Sequence, residues 1–178
     1  MDATGFFSSN TIHGEQCCLK KNRAGAPTYY HQLLGAGIVH PEQREAIPLA
    51  PEPIIRQDGE AKNDGERNAA KRLLPAIRRE HPHLKLIVVE DALAANAPHI
   101  QLLQALKMRF ILGVKPGDHA ALFAQVEERV GLHQCREHTR TDQKGVSHRF
   151  RWVDDLPLNQ QHPEVQVNFL EYWEEQQG

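Results

Sequence analysis

The apolar run Leu84-Lys85-Leu86-Ile87-Val88-Val89 stops at Glu90-Asp91 and lies between two segments with helical periodicity, which constrains the middle of the chain more than any other feature. Before it, Leu73, Leu74 and Ile77 form the stripe of one helix; after it, Ile100, Leu102, Leu103 and Leu106 mark another, and residues 109–114 give a further strand. Helix, strand, helix, strand is the order of parallel strands joined by crossover helices. Asp91 then stands at the carboxyl end of a central strand, a placement that suits a metal ligand. A second acid, Asp2, opens the chain inside the strand-like segment Asp2-Ala3-Thr4-Gly5-Phe6-Phe7.

The rest of the N-terminal half reads as antiparallel. Residues 29–39 and 46–55 are strand candidates about the turn His40-Pro41-Glu42-Gln43, and with residues 2–8 they predict a meander. Pro48, Pro51 and Pro53 cannot donate to a ladder, which puts the 46–55 strand at an edge or ends it early. Asn63 and Glu66 have the spacing of a capping box at the start of the first helix, and Pro75 is expected to kink or divide that helix. The predicted sheet is therefore mixed, with residues 84–90 beside the first strand and 109–114 beyond it.

Lys115-Pro116-Gly117-Asp118 is a turn leading into a helix over 120–130, with Leu122, Phe123 and Val126 inward. Residues 148–153 and 165–172 are aromatic-rich strand candidates separated by 154–163, and 134–140 offers a third. The expected organisation is an α/β core over residues 1–130 and a small antiparallel β insertion or extension over 131–178.

A chain of 178 residues buries a sound core without disulfides. Adjacent Cys17 and Cys18 and the distant Cys135 form an odd set that points to reduced thiols. No apolar run approaches the roughly 20 residues needed to span a bilayer, and the N-terminus lacks a signal pattern; the expectation is a soluble cytoplasmic protein. The formal charge of -2 argues against a wholly basic nucleic-acid footprint while leaving local basic faces open.

The ordered segments "DATGFFSSNTIHG", "YYHQLLGAGIVHP", "PLAPEPI", "KNDGERNAAKRLLPAIRREHPHLKLIVVEDALAANAPHIQLL" and "RFILGVKPGDH" resemble the catalytic domain of bacterial insertion-sequence transposases of the DDE type. The resemblance spans essentially the whole chain. It implies a ribonuclease H-like fold, Asp2 and Asp91 as catalytic metal ligands, two Mg²⁺ or Mn²⁺ ions in the complete enzyme, and DNA as partner at transposon ends and target. It also implies a nucleoid-associated location and a homodimer or larger assembly on DNA. Two ions roughly 3.5–4 Å apart would activate the nucleophile and stabilise the leaving oxygen at phosphorus. The family's third acid, a glutamate on a later helix, has no counterpart here: Glu171, Glu174 and Glu175 follow an aromatic strand-like segment. The expectation is a chain truncated at both ends and inactive alone, or, in a second reading, a non-catalytic fragment that binds DNA or interferes with an intact transposase.

Other readings compete residue by residue. Asp91 is also placed to cap a helix and Asp2 to be a terminal surface residue, while Glu90 should face away from Asp91 if the strand continues. Lys115, Arg149 and Arg151, with Arg78 among further basic residues, are candidate phosphate contacts; as a class such residues also form solvated faces. Trp152, Phe169, Tyr172 and Trp173 would either stack on bases or pack a small sheet. His133, Cys135 and His138, with Cys17 or Cys18, offer zinc-type ligands without a paired C-x₂-C spacing. No P-loop, nucleophile elbow or dinucleotide fingerprint occurs.

Overall fold

The computed structural model describes residues 1–56 and 65–176. It is a mixed α/β structure, with three helices, several sheets and no closed barrel among the described residues. The chain divides into two compact units, Met1–Gly113 and Val114–Gly178.

In the first unit the strand β3 (Pro27–Gly35) is the spine. The strand β1 (Asp2–Ser9) pairs with it antiparallel, from Asp2 opposite Gly35 to Ser9 opposite Tyr29, with a bulge between Gly5 and Phe7. The other edge of β3 is shared by β2 (Cys18–Lys21) and β6 (Glu52–Ile54), both antiparallel. The β2–β3 turn is closed by the Asn22 side chain, which accepts from the Ala26 amide at 2.9 Å, and Gly25 takes φ 81°, a conformation that favours glycine.

The meander read from sequence is present as β1, β3 and β6, with two differences. The 29–39 strand is interrupted at Ala36, and the 46–55 strand is divided, its first piece β5 (Ile47–Pro48) pairing with β4 (Gly37–Ile38) in a separate ribbon. Three prolines within six residues remove the donors a continuous ladder would need.

Helix α1 (Glu66–Glu80) turns Ala69, Ala70, Leu73, Leu74 and Ile77 into the core, where they meet Leu34, Ile54, Val88, Leu103 and Met108. Its N-cap is Gly65, with no side-chain capping bond; the expected Asn63 cap lies outside the described residues. Pro75 sits inside a single helix instead of dividing it. The lost backbone bond is outweighed by an apolar stripe that runs on both sides of the proline.

The strands β7 (Ile87–Glu90) and β8 (Arg109–Leu112) are parallel, Ile87 opposite Arg109 and Glu90 opposite Leu112, and are linked by helix α2 (Ala97–Ala105) as expected. Strand geometry begins three residues later than the apolar run, because the carbonyls around Leu84 are taken by Arg78. Only one face of the pair is buried: Val88 is in the core, whereas Ile87, Val89 and Ile111 are exposed. The single mixed sheet expected from the sequence is not formed: β7 and β8 make a two-stranded parallel sheet of their own, with no ladder to β1, and the start of β1 meets β7 through the Met1 ammonium group, which donates to the Val89 carbonyl at 2.8 Å.

In the second unit, β10 (Val146–Asn159) lies between β9 (Arg136–Thr141) and β11 (His162–Gln176), all antiparallel. Residues 154–163, expected as a separator, are mostly strand. β10 crosses an irregularity between Val153 and Leu156, with Asp155 at φ 54°, and continues to a tight turn. There the Asn159 carboxamide accepts from the Gln161 and His162 amides. Helix α3 (Ala120–Gly131) packs Leu122 and Val126 against Val153, Leu156 and Phe169. It thus belongs with the C-terminal strands, whereas the sequence grouped it with the N-terminal core. No described helix is long and apolar enough to cross a membrane.

Candidate functional site

Asp91 follows the last residue of β7, and its Oδ1 accepts from the Leu93 amide at 2.9 Å. This closes a side-chain turn, not a helix cap; the cap of α2 is Asn96, whose Oδ1 accepts from the His99 amide at 3.2 Å. Because the strand ends at Glu90, the alternation that would have turned Glu90 away from Asp91 no longer applies. Both residues line one narrow cleft, of about 10 Å³, together with Glu66, Arg67 and His99.

Glu90 is the buried member of the group. Its Oε2 lies 2.6 Å from His99 Nε2, and the two side chains are 8 % and 6 % exposed, so each satisfies the other's polar atom away from water. Asp91 and Asp2 are exposed. Glu66, the first residue of α1, links the acids. Its pKa is raised by partial burial first, then by the charges of Asp91, Asp2 and Glu90, while a hydrogen bond from the Ala3 amide acts in the opposite direction. Four carboxylates from β1, α1 and the end of β7 therefore share one electrostatic neighbourhood. Among the described residues, no three His, Cys, Asp or Glu side chains are gathered closely enough to hold one metal ion.

In the sequence Glu66 signals only a capping residue, and His99 carries no motif that marks it. For His99 the available signal was its helical spacing with Ile100 and Leu103, which puts it on the buried side of α2. For Glu66 no local signal exists, since its neighbours come from other elements.

The candidate phosphate contacts are differently placed. Lys115 is exposed in the turn before α3. Arg149 faces Glu137 at 3.2 Å, and Arg151 binds Glu171, with Nε to Oε2 at 2.7 Å, and approaches Glu127 at 3.7 Å. Both guanidinium groups also lie over the Trp173 ring, at 5.2 and 5.3 Å. Arg78 is half-buried and donates to backbone carbonyls. Phe169 is in the core at 5 % exposure, whereas Tyr172 is 48 % exposed. Of the zinc-type residues, Cys135 packs beside the α3 cluster, His138 stacks on Phe150, and Cys17 pairs with His31. Glu171, Glu174 and Glu175 lie on β11, a strand.

The raised pKa of Glu66 fixes the sign of a pH effect. A carboxyl whose folded pKa lies above its unfolded value contributes stability that is complete below the unfolded pKa and is lost as pH rises through the folded one. Glu66→Gln should therefore raise the unfolding midpoint near neutral pH by about 1–2 °C, the scale of a solvent-screened charge. The gain should vanish at about pH 4; a gain that persists there would place its origin outside the charge. Comparison of the chain with family models, curated proteins and solved structures gave no match.

Proposed function

We propose that the chain is the catalytic core of a DDE-type DNA transposase, acting on phosphodiester bonds at the ends of an insertion sequence, with the first unit as a ribonuclease H-like sheet. The observation that carries this reading is the convergence of Asp2, Glu66, Glu90 and Asp91 on one neighbourhood at the carboxyl end of a parallel strand. The antiparallel β1–β3–β6 meander and the tie between Met1 and Val89 support the fold assignment.

The donor set suits Mg²⁺ or Mn²⁺ in kind, since it is all carboxylate oxygen and such ions keep several waters. In number it is partial, as no three acidic or imidazole side chains close around one point among the described residues. Asp2 and Asp91 are the residues that would hold the ion, both being exposed to solvent. When bound, the ion would supply charge for the attacking and leaving oxygens. Asp91 is oriented by the Leu93 amide, and Glu90 is kept in place by His99. With no third ligand gathered among the described residues, little strand cleavage is expected from this chain by itself.

The test is the Mn²⁺ dependence of binding to duplex DNA. Mn²⁺ should strengthen binding to the wild-type protein and leave Asp91→Asn unaffected, because a cation held by the aspartate also engages phosphate. Binding of equal strength with and without Mn²⁺ would support the second reading, a non-catalytic DNA-binding fragment. No DNA binding in either condition would overturn both.

A further inference from the structure

We propose that Cys17 and His31 form a base-assisted nucleophilic pair, opening on an apolar cavity, that adds to small α,β-unsaturated carbonyl compounds with an apolar body. Cys17 Sγ lies 3.1 Å from His31 Nε2, the reach of a nucleophile and its base. The Gly14 amide donates to the same sulfur at 3.1 Å, fixed there by the turn in which the Cys17 amide donates to the Gly14 carbonyl at 3.2 Å. A sulfur that already accepts one N–H has its own proton left for the imidazole, and the N–H stabilises the charge that develops when the proton leaves.

The imidazole is held between rings, 5.7 Å from Phe6 in a stacked arrangement and 5.5 Å from Phe7. Cys17 and His31 line an open cavity of about 400 Å³ whose other walls include Phe6, Phe7, Ile12 and His13. Phe6 and Ile12 are 65 % and 69 % exposed, so its entrance is apolar and open to solvent. Cys17 is only 3 % exposed and lines the cavity, whereas neighbouring Cys18, at 0 %, does not line it and its thiol donates to the Ile54 carbonyl.

The step needs no oxidant. The thiol proton passes to His31 Nε2, sulfur bonds to the β-carbon, and the π pair of the C=C bond moves to the α-carbon, which takes the proton back from His31. One S–C bond forms, one π bond is lost, and nothing leaves.

Limiting N-phenylmaleimide on the folded protein, with peptides quantified by mass spectrometry, tests the pair. Cys17 should be labelled, and His31→Asn should slow its labelling about tenfold or more while Cys135 reacts as before. Should that variant unfold, the wild-type protein decides: Cys17, relative to Cys135, should prefer the phenyl reagent over a maleimide bearing a carboxylate. Labelling of Cys17 only after denaturation, an unchanged rate in a folded His31→Asn, or no preference between the reagents would each overturn the proposal.

Discussion

Replacing His99 with phenylalanine is expected to lower folding stability by about 2–3 kcal/mol, the upper part of the range for leaving a buried polar group without its hydrogen-bond partner. The imidazole meets Glu90 at 2.6 Å with both side chains less than a tenth exposed. Phenylalanine keeps a flat ring on α2, so a cavity is not the cause. What remains is a buried carboxyl without its partner, close to Asp91 and Glu66. Exchanging both residues should recover most of the loss, because His99→Phe with Glu90→Leu leaves no unpaired group, and a double-mutant cycle isolates that coupling. Urea unfolding with an unchanged m-value gives the numbers. A single-mutant loss below about 1 kcal/mol would mean that Glu90 reaches water and that the pair does not brace the end of β7.

Arg78→Lys is expected to cost about 2–3 kcal/mol although the charge is kept. The guanidinium donates from Nε to the Leu106 carbonyl at 3.0 Å and from Nη1 to the Leu84 carbonyl at 2.9 Å, with longer contacts to the carbonyls of His81 and Pro82. One side chain thus joins the end of α1, the approach to β7 and the end of α2. Hydrogen bonds to a charged donor contribute about 1.5–3 kcal/mol each. A lysine ammonium cannot span two directions as a planar fork does, and the partial exposure of the site keeps the estimate at the lower end. A Lys variant as stable as the wild type would show that charge alone suffices.

The parallel pair β7 and β8 with its connecting helix was legible because its signals are local: an apolar run, a helical stripe and a second run at the right spacing. The long C-terminal hairpin was read as two pieces, since Asp154 and Asp155 look like a loop, whereas the structure absorbs them in a strand irregularity and continues with Leu156 and Leu158 buried. The strand β2 was missed because Cys18-Leu19-Lys20-Lys21 is too short and too charged to signal by itself. Its place depends on β3, which is a tertiary fact.

The acids show the same division. Asp2 and Asp91 could be named from position and from the family resemblance. The meeting of Asp91, Asp2 and Glu90 at Glu66 depends on α1 lying beside the start of β1, and no spacing in the chain encodes that. Arg78, Arg149 and Arg151 show the converse, because composition marks them as cations while the fold engages them with carbonyls and carboxylates.

Calorimetric titration of Mn²⁺ into the wild-type protein and Asp91→Asn tests the acidic centre most directly, since the substitution removes the ligand charge and keeps the side-chain shape. The account predicts measurable binding to the wild type, affinity about tenfold or more weaker in Asp91→Asn, the scale on which metal-site substitutions act, and a loss in the same direction for Asp2→Asn. Equal affinity in wild type and Asp91→Asn, or no binding to the wild type, would contradict it.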